Sequence, residues 1–87
     1  LVLDVRNPPE FDIVRFDGAV ELPLGELERR CDRLDVTCHY VIVCHKGGRA
    51  ALAYELLKTA GFERIEVLNG GIDAWAARVR TDLARYR

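Results

Sequence analysis

The apolar, β-branched run Tyr40-Val41-Ile42-Val43 stops at Cys44-His45-Lys46-Gly47-Gly48-Arg49 and gives way to Ala50-Ala51-Leu52-Ala53-Tyr54-Glu55-Leu56-Leu57-Lys58. The first stretch favours a buried strand, the last is built of helix formers, and the residues between leave room for only a short loop. A strand that passes directly into a helix is half of a βα unit, from which parallel α/β sheets are built. The junction also puts a cysteine at the carboxyl end of a strand and at the mouth of a helix. Free backbone N–H groups converge there on whatever fills the loop. A thiol in that position sits in a positive field that favours the thiolate, the nucleophilic form.

The rest of the chain repeats the alternation. Leu1-Val2-Leu3-Asp4-Val5 has the continuous apolar character of a buried parallel strand, broken by Asn7-Pro8-Pro9. Glu10 to Arg15 is expected to form a short helix, with a proline suited to its first turn. Gly18 to Leu22 is a second, short strand. Leu24, Leu27, Cys31 and Leu34 then recur at helical spacing and predict an amphipathic helix over 24–34. Tyr40 to Cys44 is the third strand, Gly48 to Ala60 the next helix with Gly61 as its C-terminal stop, and Ile65 to Leu68 the fourth strand. Asn69-Gly70-Gly71 and a last short helix over 72–79, with Trp75 as core packing, complete the pattern. The expected class is α/β, a mostly parallel sheet with helices on both faces. In such sheets ligands bind beyond the carboxyl ends of the strands. The turns after Val5, Val43 and Leu68 therefore converge on one edge, with Cys44 in the middle turn.

The totals exclude several functions. A net charge of −1 argues against a general nucleic-acid binder, and no apolar run approaches the ~20 residues needed to span a bilayer. Three cysteines, Cys31, Cys38 and Cys44, lack both the even count of a disulfide framework and the spacing of a zinc site. A reducing, cytoplasmic setting is expected, with no metal and no organic cofactor. The chain holds no methionine and opens on a buried strand. It reads as one domain, 1–87, without its first strand and helix, and as part of a longer protein.

Within the loop, Gly47 and Gly48 are expected to permit the backbone angles that turn successive N–H groups inward. Arg49, permanently charged, stands at the helix start, and Lys46 adds a second cation. His45 is expected at the rim, facing solvent, and His39 at the surface without a partner. Asp4 and Arg6 are read as an ion pair or hydrogen bonds bracing the neighbouring loop. Cys31 is assigned to the core and Cys38 to no function. Asn69-Gly70-Gly71 serves either as a simple turn or as a substrate-facing one. The charges of Glu26, Glu28, Arg29, Arg30 and Arg33 are assigned to a solvated helix face.

Four blocks carry a family resemblance: Leu3-Asp4-Val5-Arg6; Glu10-Phe11 followed by Gly18-Ala19; the loop from Cys44 to Arg49; and Leu68-Asn69-Gly70-Gly71-Ile72-Asp73-Ala74-Trp75. In this order and spacing the chain resembles the rhodanese homology domain. The resemblance implies a rhodanese-like fold and a sulfurtransferase whose catalytic Cys44 takes a sulfane sulfur, forms a persulfide and passes the sulfur on. The loop His45, Lys46, Gly47, Gly48 and Arg49 would hold the persulfide through inward amides, and Asp4 and Arg6 would support it. Lys46 occupies a position that is basic in thiosulfate-using members. Val14-Arg15-Phe16 departs from the Gly-His-Ile of many single-domain members. The stretches Arg15 to Ala19, Pro23 to Leu27 and Val79 to Tyr86 look like the C-terminal rhodanese domain of ubiquitin-activating-enzyme-like adenylyltransferase/sulfurtransferases of molybdopterin and thiamine pathways. That likeness implies a small-molecule or protein persulfide donor, a sulfur-carrier acceptor and a fused adenylating domain. Two other functions remain open. Phosphatases use a related Cys-loop-Arg cradle, but with five intervening residues where this chain has His45 to Gly48. Non-catalytic modules of the same fold tend to lose the cysteine or the glycines that this chain keeps.

Overall fold

Apolar runs become strands and the segments between them become helices, in a computed structural model that describes residues 1–16 and 18–68. The elements are β1 (Val2–Asp4), α1 (Pro8–Phe11), β2 (Val20–Glu21), α2 (Leu24–Arg30), β3 (Tyr40–Val43), α3 (Gly48–Thr59) and β4 (Ile65–Val67). A 3₁₀ turn, Cys31–Arg33, tightens the end of α2. The four strands form one parallel sheet in the order β2-β1-β3-β4. Leu3 lies beside Val20 on one side and Ile42 on the other, and Ile42 lies beside Val67. This is the α/β class expected from the alternation.

Strand periodicity divides the core in two. Leu3 and Val5 of the first strand segment join Tyr40, Ile42 and Cys44 under Leu27 of α2 and Ala50, Ala53 and Leu57 of α3. Leu3, Leu27, Ile42 and Leu57 are fully buried, and each contributes about 1.5–3 kcal/mol. On the opposite face Val43 packs with Val14, and Val2, Phe16, Val41 and Leu68 surround them. The segment that follows α1 thus covers part of the second face.

Two helices differ from the sequence expectation. α1 occupies Pro8–Phe11 rather than 10–15, with Pro8 at its start, where a missing N–H costs nothing. The Asn7 N–H donates to Glu10 Oε1 at 3.1 Å and fixes the entry. α2 ends at Arg30, and the Leu34 N–H returns to the Cys31 carbonyl at 3.0 Å. α3 matches its expected start, and Gly61 follows it with a φ of +99°, a conformation that glycine adopts without strain. No helix among the described residues is long and apolar enough to cross a membrane. Asn69-Gly70-Gly71, the helix over 72–79 with Trp75, and the closing segment lie outside the described residues.

Candidate active site

The site is built at the β3–α3 junction. Cys44 follows the last residue of β3 and is 1% exposed, its side chain on the core face beneath α3. Gly47 has a φ of +106°, in the left-handed region that a side chain makes costly. That turn brings the Gly47 N–H to 3.0 Å from Cys44 Sγ. The Ala50 N–H, in the first turn of α3, donates to the same sulfur at 3.3 Å. The next amide, Ala51, returns to the Gly47 carbonyl at 3.0 Å and starts the helix's own ladder. The sulfur therefore serves as the acceptor for an otherwise orphaned helix amide. It lies on the positive end of the α3 dipole. Amide bonds of this kind strengthen as the acceptor becomes an anion. The arrangement suits a thiolate, or a persulfide whose charge rests on the outer sulfur.

The other loop positions divide. Lys46 is exposed and makes no ion pair among the described residues. Gly48 has an ordinary negative φ, and a Cβ added there meets nothing within 4 Å. Only Gly47 is required by backbone geometry, contrary to the expectation for both glycines. His45 is 6% exposed and does not face solvent as expected. It follows the end of β3, an interior strand flanked by β1 and β4. His39 is exposed, but its Nε2 lies 2.9 Å from Glu66 Oε2, a partner supplied by the neighbouring strand β4.

Asp4 and Arg6 form a fully buried ion pair. Arg6 Nη2 and Nε donate to the Asp4 carboxylate at 2.8–3.1 Å, and the Arg6 backbone N–H adds a bond of 3.1 Å. The same guanidinium donates to the Glu10 carbonyl at 3.3 Å and the Val14 carbonyl at 2.7 Å, and lies 5.4 Å from the Phe11 ring centre. The pair clamps α1 and its following turn to the end of β1.

Arg49 completes the arrangement through a residue to which sequence reasoning assigned no role. Its Nη2 donates to Glu10 Oε2 at 2.8 Å and its Nη1 to Glu10 Oε1, a two-pronged pair between residues 39 apart. Glu10 is thereby tied to the buried clamp through its backbone and to the cysteine loop through its carboxylate. Nothing in local periodicity marks such a pair. The one signal was the presence of Glu10-Phe11 among the recurring blocks. Cys31 and Cys38 are half-buried against the main core and are free thiols.

The model of the rhodanese-like domain family matches residues 1–78. The chain is 37% identical over 87 residues to "Probable adenylyltransferase/sulfurtransferase MoeZ" of Mycobacterium tuberculosis, covering 98% of this chain and 22% of that protein. It is 33% identical over 82 residues to the adenylyltransferase and sulfurtransferase UBA4 of Yarrowia lipolytica, covering 91% of this chain and 20% of that one. The chain spans less than half the length of such curated relatives. Among solved structures, a rhodanese-related protein from Thermoplasma volcanium superposes with a TM-score of 0.84 at 32% identity, over 90% of this chain and 77% of that one. The family model, the relatives and the fold agree, and the chain belongs to the rhodanese-like domain family.

Proposed function

We propose that this domain is a sulfurtransferase working through a persulfide on Cys44. The observation that carries the reading is the pair of amide donors, Gly47 N–H and Ala50 N–H, aimed at Cys44 Sγ from a helix mouth. With thiosulfate as donor, the Cys44 thiolate attacks the outer sulfur. An Sγ–S bond forms, the S–S bond of thiosulfate breaks, and its electron pair leaves with sulfite. Charge balances at −3 on each side, and the outer sulfur of the persulfide carries the site's negative charge. A nucleophilic acceptor then attacks that outer sulfur and releases the Cys44 thiolate. Neither step uses a metal or an organic cofactor. Lys46, exposed at the loop's outer side, is suited to meeting an anionic donor. Relatives named as adenylyltransferase/sulfurtransferases, and one whose name includes sulfur carrier protein, favour a carrier protein as acceptor and an adenylating partner within a longer chain.

The test is intact mass after incubation with thiosulfate. A gain of about 32 Da, one sulfur, released by cyanide or dithiothreitol and absent from Cys44→Ser, is the expected result. No gain on the wild type with thiosulfate or with a protein persulfide, or an equal gain on Cys44→Ser, would overturn the reading.

A further inference from the structure

We infer that Glu10 sets the charge of the cysteine cradle, neutralising Arg49 and so determining how strongly the site discriminates among anionic reagents. Arg49 is the second residue of α3, one position before the amide that binds Sγ. Alone, that guanidinium would be the cradle's permanent cation. In the structure both of its terminal nitrogens are directed at the two oxygens of Glu10. The pair is only partly solvent-exposed, 30% for Arg49 and 16% for Glu10, so water screens it incompletely.

Glu10 cannot swing away freely. Its Oε1 also accepts the Asn7 N–H, and its carbonyl is held by Arg6, itself locked on buried Asp4. The carboxylate is thus delivered to Arg49 by a rigid chain of contacts that starts in the sheet. Among the described residues, the donors to Sγ are the amides of Gly47 and Ala50, not the guanidinium. Stabilisation of a negative sulfur is left to fixed backbone dipoles, and the field felt by an approaching anion is weaker than the Cys44-to-Arg49 sequence implies. Glu10 is therefore a specificity-determining residue that acts through Arg49.

For donors, the inference rests on the sulfur-transfer reading. Its test does not, because Cys44 alkylation reports the local charge whether or not sulfur is transferred. Iodoacetate and iodoacetamide have closely similar reactive ends and differ by one negative charge. The ratio of their rate constants at Cys44, resolved by peptide mass, measures the potential at the thiol. Glu10→Gln removes one negative charge beside Arg49, and the ratio is expected to rise roughly twofold to fivefold at low salt, with the rise fading near 1 M salt. Arg49→Gln removes one positive charge beside Glu10, and the ratio should fall by a similar factor. The double variant removes one charge of each sign and should return within about 1.5-fold of wild type. Glu10→Asp keeps the charge and should keep the wild-type ratio, even if its shorter reach lowers stability.

A purely structural role would change both reagents' rates together and leave the ratio flat. A flat ratio in Glu10→Gln overturns the inference. Should that variant alone fail to fold, the double variant decides: a ratio as low as that of Arg49→Gln would mean that Arg49 acts as an unneutralised cation. If the sulfur-transfer reading also holds, Glu10→Gln lowers KM for dianionic thiosulfate more than for a monoanionic aryl thiosulfonate. Absence of a persulfide on wild type with either donor sinks the functional reading and leaves the alkylation result standing.

Discussion

Replacing Arg6 by methionine tests whether the buried Asp4–Arg6 pair organises the site's foundation. Methionine fills much of the same volume but removes every charged donor. Asp4, fully buried, then loses the bonds from Arg6 Nε and Nη2 and keeps the one from the Arg6 backbone N–H. The Val14 carbonyl loses its 2.7 Å contact, while the Glu10 carbonyl still receives the Ile13 N–H at 3.1 Å. An uncompensated buried charge costs about 3–5 kcal/mol. A domain of this length has a total stability of only about 4–13 kcal/mol, so the variant is expected to be close to unfolding. In urea, a loss of about 4 kcal/mol at a slope of 1–2 kcal/mol per M moves the midpoint by roughly 2–4 M. Removing both charges, in Asp4→Leu with Arg6→Met, takes away the orphaned carboxylate and should recover a large part of the loss. A Cys44 alkylation rate measured below the transition should rise as α1 loosens its hold on Arg49 through Glu10. A midpoint for Arg6→Met equivalent to less than about 1 kcal/mol of destabilisation, or strict additivity in the double variant, would refute the reasoning.

Two further perturbations follow from the loop and from the Asp35 carboxyl. Gly47→Ala forces a side chain into a left-handed position and is expected to cost about 1–2 kcal/mol and to misalign the amide facing Sγ, whereas Gly48→Ala, inside α3 with open space around its Cβ, should stabilise by about 0.5–1 kcal/mol; paired chemical denaturation curves check the contrast. The Asp35 carboxyl titrates below its ordinary range because the Thr37 hydroxyl donates to it at 2.6 Å and the Thr37 N–H at 2.9 Å. A depressed folded-state value means that this contribution is present at neutral pH and is lost as pH falls below the ordinary carboxylate range through the folded-state value. Thr37→Val should move the Asp35 midpoint up, as read by carbon NMR titration, and an unmoved midpoint would contradict the assignment.

The chain's local chemistry determined its elements. Tyr40 to Val43 became a strand because an apolar, β-branched run too short for a helix is suited to an interior strand, and Val2 to Asp4 and Ile65 to Val67 pair on either side of it. α3 was legible from its alanines and leucines and from the glycine that ends it, and Cys44 stood out because two readable elements meet there. The boundaries of α1 were decided elsewhere: Arg6, held by Asp4, takes the carbonyls of Glu10 and Val14 from outside the helix. His45, expected at the rim, is buried at the end of β3, a strand flanked by β1 and β4. The partner of His39 appeared only when β3 and β4 became neighbours. The Glu10–Arg49 pair depends on bringing α1 against the mouth of α3 across 39 residues. Local propensity acts over a few residues and can be read along the chain. Charge pairing acts through space, so the cradle's electrical balance exists only once the sheet has gathered its turns on one edge.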